Sequence, residues 1–183
     1  MQFNNSDLLL YSGKEFNIQQ NSIGNIEMSL LDGSGICLEN SDFYSKLILG
    51  KCDRCNTWYK ENFDNFTYDK VLVAGLGLGL IPQDLCIEEN CSKIDVVESS
   101  QELIDWTNNS GHLDSKINLI HDDIYNYNTS VLYDLIIFDI FWNDSSLTDD
   151  LFEFLKNKYL NNLNIGGVLY FPINKKWIVK WVH

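Results

Sequence analysis

The chain has 183 residues, 45% hydrophobic and 21% charged, enough for one domain with a sizeable core and a small appendage. Its formal net charge is −13 and Arg54 is its single arginine, which argues against nucleic acid as a partner, since phosphodiester backbones call for a basic stripe. No apolar run reaches the ~20 residues needed to span a bilayer, and the opening MQFNNSD lacks a signal-peptide pattern, so no membrane association and a cytoplasmic location are expected.

Residues 1 to about 40 read as a small antiparallel sheet. DLLLYSG, EFNIQQNS, GNIEMSLLDG and GICLEN are short runs with partial alternation, separated by Gly, Asn and Asp-Gly turn signals. Residues 41 to about 65 have helical character, with Ser41 as a cap and Phe43, Leu47, Trp58 and Tyr59 on an apolar face. This predicts an N-terminal unit over 1–65 and a second unit over 66–183. In the second unit strands and helices alternate. KVLVAG is a strand buried on both faces, followed by a helix around IPQDLCIEEN and the strand KIDVVES. Next come the helix QELIDWTNN, the strand INLIHDD and the very apolar strand LYDLIIFDIFW. LTDDLFEFLKNKYLNNL is an amphipathic helix with Thr148 as its cap, and NIGGVLYFPIN turns at Gly166-Gly167 into a fifth strand. This alternation predicts a Rossmann-like α/β fold: a doubly wound, mainly parallel sheet preceded by the small antiparallel one.

The chemistry is concentrated in VLVAGLGLGLIPQ, where Gly75, Gly77 and Gly79 alternate with leucines directly after the first parallel strand. Glycine there lets the backbone turn tightly and approach a ligand, and Pro82 suits the first turn of the helix that follows. Dinucleotide-binding loops favour G-x-G-x-x-G, and the position of its last glycine is Leu80 here. Glu98 ends the next strand, where a carboxylate can accept from both ribose hydroxyls, with Ser99 beside it. Asp139 ends the fourth strand, placed to orient a substrate amine, hold a cofactor's amino group or act as general base, with Phe141 and Trp142 to wall the site. The five cysteines, an odd number, do not suggest a disulfide framework. Cys52 and Cys55 have zinc-like spacing but no second pair, so no metal is expected.

The G-x-G-x-G spacing resembles the first motif of class I S-adenosylmethionine (SAM)-dependent methyltransferases, a resemblance that runs from about Lys70 to Asn174. It implies SAM as cofactor, held by Gly75, Gly77, Gly79 and Glu98. It also implies that Asp123 accepts from the adenine amino group, with Asp122 as the alternative, and that Ile124 packs near the ring. Within that fold, LLDGSGICLENSDFYSKLI is similar to the hairpin and helix of polyamine aminopropyltransferases such as spermidine synthase. Tyr44 sits near that family's substrate-binding tyrosine, and YDLIIFD resembles the strand leading to its catalytic aspartate. The chain departs from the family at Leu78 and Trp142, where it places acidic residues, and at Ile36, where it places glutamine. The resemblance therefore implies a SAM-dependent transferase, with methyl transfer to a small-molecule acceptor ahead of aminopropyl transfer from decarboxylated SAM. A non-catalytic SAM-fold binding protein is the third reading. The tail KKWIVKWVH is shorter than the usual end of this fold, and an edge strand formed from it is expected to invite a homodimer.

Overall fold

The computed structural model describes residues 11–20, 26–30, 36–39, 67–77, 79–86, 89–111, 113–140, 146–172 and 176–180. The helix expected over 41–65, with Tyr44, lies outside them, as do Leu78, Phe141 and Trp142. Strands β1 (Tyr11–Ser12), β2 (Phe16–Gln20), β3 (Ile26–Leu30) and β4 (Ile36–Glu39) form the expected antiparallel meander in sequence order. The second sheet contains β5 (Lys70–Ala74), β6 (Lys93–Glu98), β7 (Ile117–His121), β8 (Tyr133–Phe138), β9 (Leu163–Phe171) and β10 (Lys176–Val179).

Its order is β10-β9-β8-β5-β6-β7, parallel except for β10, which pairs antiparallel with β9. The tail therefore supplies an antiparallel edge strand as a hairpin off β9. Among the described residues the helices α1 (Leu80–Leu85), α2 (Gln101–Ser110) and α3 (Asp149–Tyr159) cross over between strands. Among the described residues none of the helices is long and apolar enough to cross a membrane.

Both faces of the central strands are buried, which is why β5 and β8 read as continuous apolar runs. One face packs Val71, Val73, Ile94, Val96 and Ile137 against Leu103 and Trp106 of α2 and against Phe16 and Ile18 of β2. The other packs Leu72, Ala74, Val97 and Phe138 against Leu155 and Tyr159 of α3. Thr148 caps α3, accepting from the Leu151 N–H.

Two elements differ from the sequence expectation. The helix expected around IPQDLCIEEN spans Leu80–Leu85, shorter than that run. The fifth strand starts at Leu163, ahead of Gly166-Gly167. Between Tyr133↔Leu163 and Leu135↔Val168 it bulges, with Gly166 at φ 81° absorbing the extra residues.

Candidate functional site

The strand order reverses between β5 and β8, so the carboxyl ends of these strands open the crevice where ligands bind in doubly wound sheets. The glycine loop leaves β5 at this point. Gly75, Gly77 and Gly79 all have positive φ, at 92°, 52° and 80°, a region that costs other residues strain. Gly75 has a second constraint. A Cβ there would lie 2.5 Å from the Asp139 carbonyl oxygen, because the Asp139 N–H donates to Ala74 O at 2.9 Å and draws the two strand ends together. Gly77 differs, since a Cβ there would meet nothing within 4 Å among the described residues.

The loop and Glu98 converge. The Leu76 N–H donates to Glu98 Oε2 at 2.9 Å, fixing the loop to the end of the neighbouring strand. Glu98 Oε1 accepts from the Ser100 N–H at 2.8 Å and from the Ser99 hydroxyl at 3.4 Å. Each carboxylate oxygen has two lone-pair sites, so Oε2 keeps one available for a hydroxyl. Ser100 is also the N-cap of α2, its side chain accepting from Leu103 N at 3.0 Å.

Past β7 the chain places Asp122, Asp123 and Ile124 in a tight turn. The Asp122 N–H still donates to Glu98 O at 3.1 Å, keeping this turn against the Glu98 strand end. The Asp123 carboxylate is engaged within its own turn, accepting from Tyr125 N at 2.9 Å and from Asn126 Nδ2 at 3.4 Å. The Asp122 carboxylate accepts from Asp123 N at 2.7 Å. Ile124 is buried, and its carbonyl accepts from the Tyr159 hydroxyl at 2.6 Å.

Asp139 stands across the crevice, at the end of β8. Its side chain is open to solvent, yet protein crowds its other sides, and the lost hydration pushes its carboxyl up to about 6. A carboxylate held in this range can accept a proton near neutral pH.

Sequence reasoning missed the way the N-terminal sheet reaches this site. The Ser100 hydroxyl hydrogen-bonds Glu15, and the Lys14 N–H donates to both oxygens of Glu102, at 2.8 and 3.1 Å. Among the described residues no group of three His, Cys, Asp or Glu side chains is placed to hold a metal ion.

No protein-family model and no curated protein matches the sequence. Solved structures do resemble the fold. A spermidine synthase from Thermotoga maritima superposes with a TM-score of 0.63 at 18% identity, over 89% of this chain and 55% of that one. A coclaurine N-methyltransferase bound to N-methylheliamine and S-adenosylhomocysteine gives 0.53 at 17% identity, over 74% of this chain and 36% of that one. A SAM-dependent methyltransferase from Clostridium acetobutylicum gives 0.50 at 26% identity, over 72% and 55%. The chain has the Rossmann-like fold of class I SAM-dependent methyltransferases. It spans a third to little more than half of the length of these three proteins. The glycine loop, Glu98 and Asp139 sit at the neighbouring carboxyl ends of β5, β6 and β8.

Proposed function

We propose that the chain binds SAM in the crevice at the ends of β5, β6 and β8 and transfers its methyl group to a small acceptor. One observation carries this reading: the Leu76 N–H, inside the loop of three positive-φ glycines, bonds the Glu98 carboxylate. That bond brings together a surface for close approach and an acceptor for ribose hydroxyls. The residues fit such a ligand, because Gly77 leaves open space beside the loop and Glu98 keeps acceptor capacity. Asp122 and Asp123, in the turn held against the Glu98 strand end, would face the adenine, with Ile124 beneath it.

Bound there, SAM would supply a methyl group on an already activated thioether leaving group. The protein then needs mainly to align acceptor and methyl carbon, which supplies much of the rate in such displacements. Asp139 would orient the acceptor and take its proton, as its raised pKa near 6 permits. The likeness to spermidine synthase favours a second reading, since its 89% share of this chain exceeds what residues 66–183 alone can provide. In that reading decarboxylated SAM donates an aminopropyl group from the same pocket.

Calorimetric titration with SAM, decarboxylated SAM, methylthioadenosine and NAD separates these readings. Preference for SAM supports methyl transfer, and preference for the decarboxylated form supports aminopropyl transfer. Tight nucleoside binding without transfer to amine or hydroxyl acceptors supports a non-catalytic protein. Glu98→Ala is expected to weaken nucleoside binding by about 1.5–3 kcal/mol, the size of a hydrogen bond to a charged group. Unchanged affinity in that variant would remove Glu98 from the ribose.

A further inference from the structure

We propose that the turn between β1 and β2 is a working part of the nucleoside site, with Glu15 a positioning residue that holds Glu98 in place through Ser100. This rests on the nucleoside reading above and adds a partner to it. Ser100 serves both carboxylates: its N–H donates to Glu98 Oε1 at 2.8 Å, and its hydroxyl bonds Glu15. The same hydroxyl oxygen accepts from Leu103 N at 3.0 Å, so its single proton is free to go to Glu15. The direction of every bond at this residue is therefore fixed. A shift of the Ser100 backbone moves the N–H that orients Glu98, and Glu98 in turn orients the loop through Leu76.

The turn is seated by more than one bond. Its own closure is the Gly13 N–H to Phe16 O bond at 3.0 Å. The Lys14 N–H donates to both Glu102 oxygens, in the first turn of α2. Beneath, Tyr11 stacks on Phe16 with ring centres 4.9 Å apart, and Phe16 meets Trp106 edge-on at 6.4 Å. Gly13 is the residue that allows this approach. A Cβ there would lie 1.6 Å from Glu102 Oε1 and 2.4 Å from the Tyr11 ring. The chain thus brings the N-terminal sheet to the helix whose cap adjoins Glu98. Binding at Glu98 and docking of the turn share Ser100, and coupling between two such events is reciprocal.

Hydrogen exchange on the full chain, with and without SAM or decarboxylated SAM, tests the coupling without any substitution. Added nucleoside is expected to slow exchange at Lys14 as well as at Leu76 and Ser100. Protection at Leu76 with none at Lys14 would overturn the coupling while leaving the nucleoside reading intact. Two variants extend the test. Glu15→Ala is expected to weaken nucleoside binding on the order of 5-fold or more, and Glu15→Gln to recover most of it, because its amide oxygen still accepts from Ser100. Gly13→Ala is expected to displace Glu102 and act like Glu15→Ala. If Glu98→Ala weakens binding while Glu15→Ala and Gly13→Ala bind like the wild type, Glu15 has no positioning role. No binding of any nucleoside by the wild type overturns the nucleoside reading and this proposal together.

Discussion

Gly75 and Gly77 share a positive φ but differ in what lies beside them, and the difference separates folding from binding. Gly75→Ala puts a methyl group 2.5 Å from the Asp139 carbonyl oxygen as well as at φ 92°. The backbone strain alone is worth about 1–3 kcal/mol, so urea unfolding should show a loss of at least that size. Gly77→Ala meets no clash, and its expected cost is the left-handed backbone penalty of about 1–2 kcal/mol. That variant should remain folded and lose nucleoside affinity, because the proposed ligand would approach on the open side of Gly77. Asp139 presents a similar separation, between charge and shape. Its carboxyl titrates near 6 in the fold against an ordinary 3.8, because the crevice disfavours its charged form. Below the lower value both folded and unfolded chains hold the proton. As pH rises from there towards 6 the unfolded chain releases it first, so folding stability declines across that window. Asp139→Asn keeps the shape without the charge. It should melt higher than the wild type at pH 7 and at the same temperature at pH 3. Transfer activity in the wild type should rise through pH 6 and be lost in the variant.

At the scale of elements, the sheet is joined internally by a buried polar contact. Asp95, in the middle of β6, is 2% exposed and accepts from the Tyr133 hydroxyl at 3.0 Å and from Asn118 Nδ2 at 2.7 Å. It also pairs with Lys93 at 2.9 Å. Tyr133 opens β8, so this carboxylate ties together strands on either side of β5. Tyr133→Phe removes one donor from a buried charge and should cost about 1.5–3 kcal/mol in a denaturant titration. Elements of this kind were legible to different degrees in the sequence. The strands β5, β6 and β8 announce themselves as apolar runs because both of their faces are covered. Helix α3 is legible because its inner face repeats at helical spacing and Thr148 marks its start. The bulge at Gly166 was not, since a glycine pair reads as a turn unless the partner strand is known. The glycine loop and Glu98 were legible because their spacing along one βαβ unit is local. The clasp on α2 was not, because Lys14 and Glu102 are 88 residues apart and Glu15 and Ser100 are 85 apart. No periodicity or short motif encodes such pairs.

At the scale of the whole molecule, the net charge of −13 acts on stability and on ligand binding in opposite senses. Among the described residues the ion pairs are Lys93–Asp95 and Lys156–Glu153. Most acidic side chains there accept from backbone or polar groups or face solvent, so repulsion among them exceeds the attraction that salt would screen. Raising the ionic strength shortens the screening length from ~30 Å at 0.01 M to ~8 Å at 0.15 M. The melting temperature of the free protein should therefore climb over that range. The crevice responds the other way. Glu98, Asp122, Asp123 and Asp139 give the proposed crevice an acidic lining at the strand ends, and attraction for a cationic ligand would weaken as salt screens it. Decarboxylated SAM lacks the carboxylate of SAM and carries one more net positive charge, so its affinity should fall more steeply with salt. Titrations of both ligands at 0.01 M and 0.15 M salt measure the two slopes directly. Equal slopes would mean that the amino-acid end of the ligand lies outside the acidic field. A steeper slope for SAM would require a cationic partner for its carboxylate in the crevice.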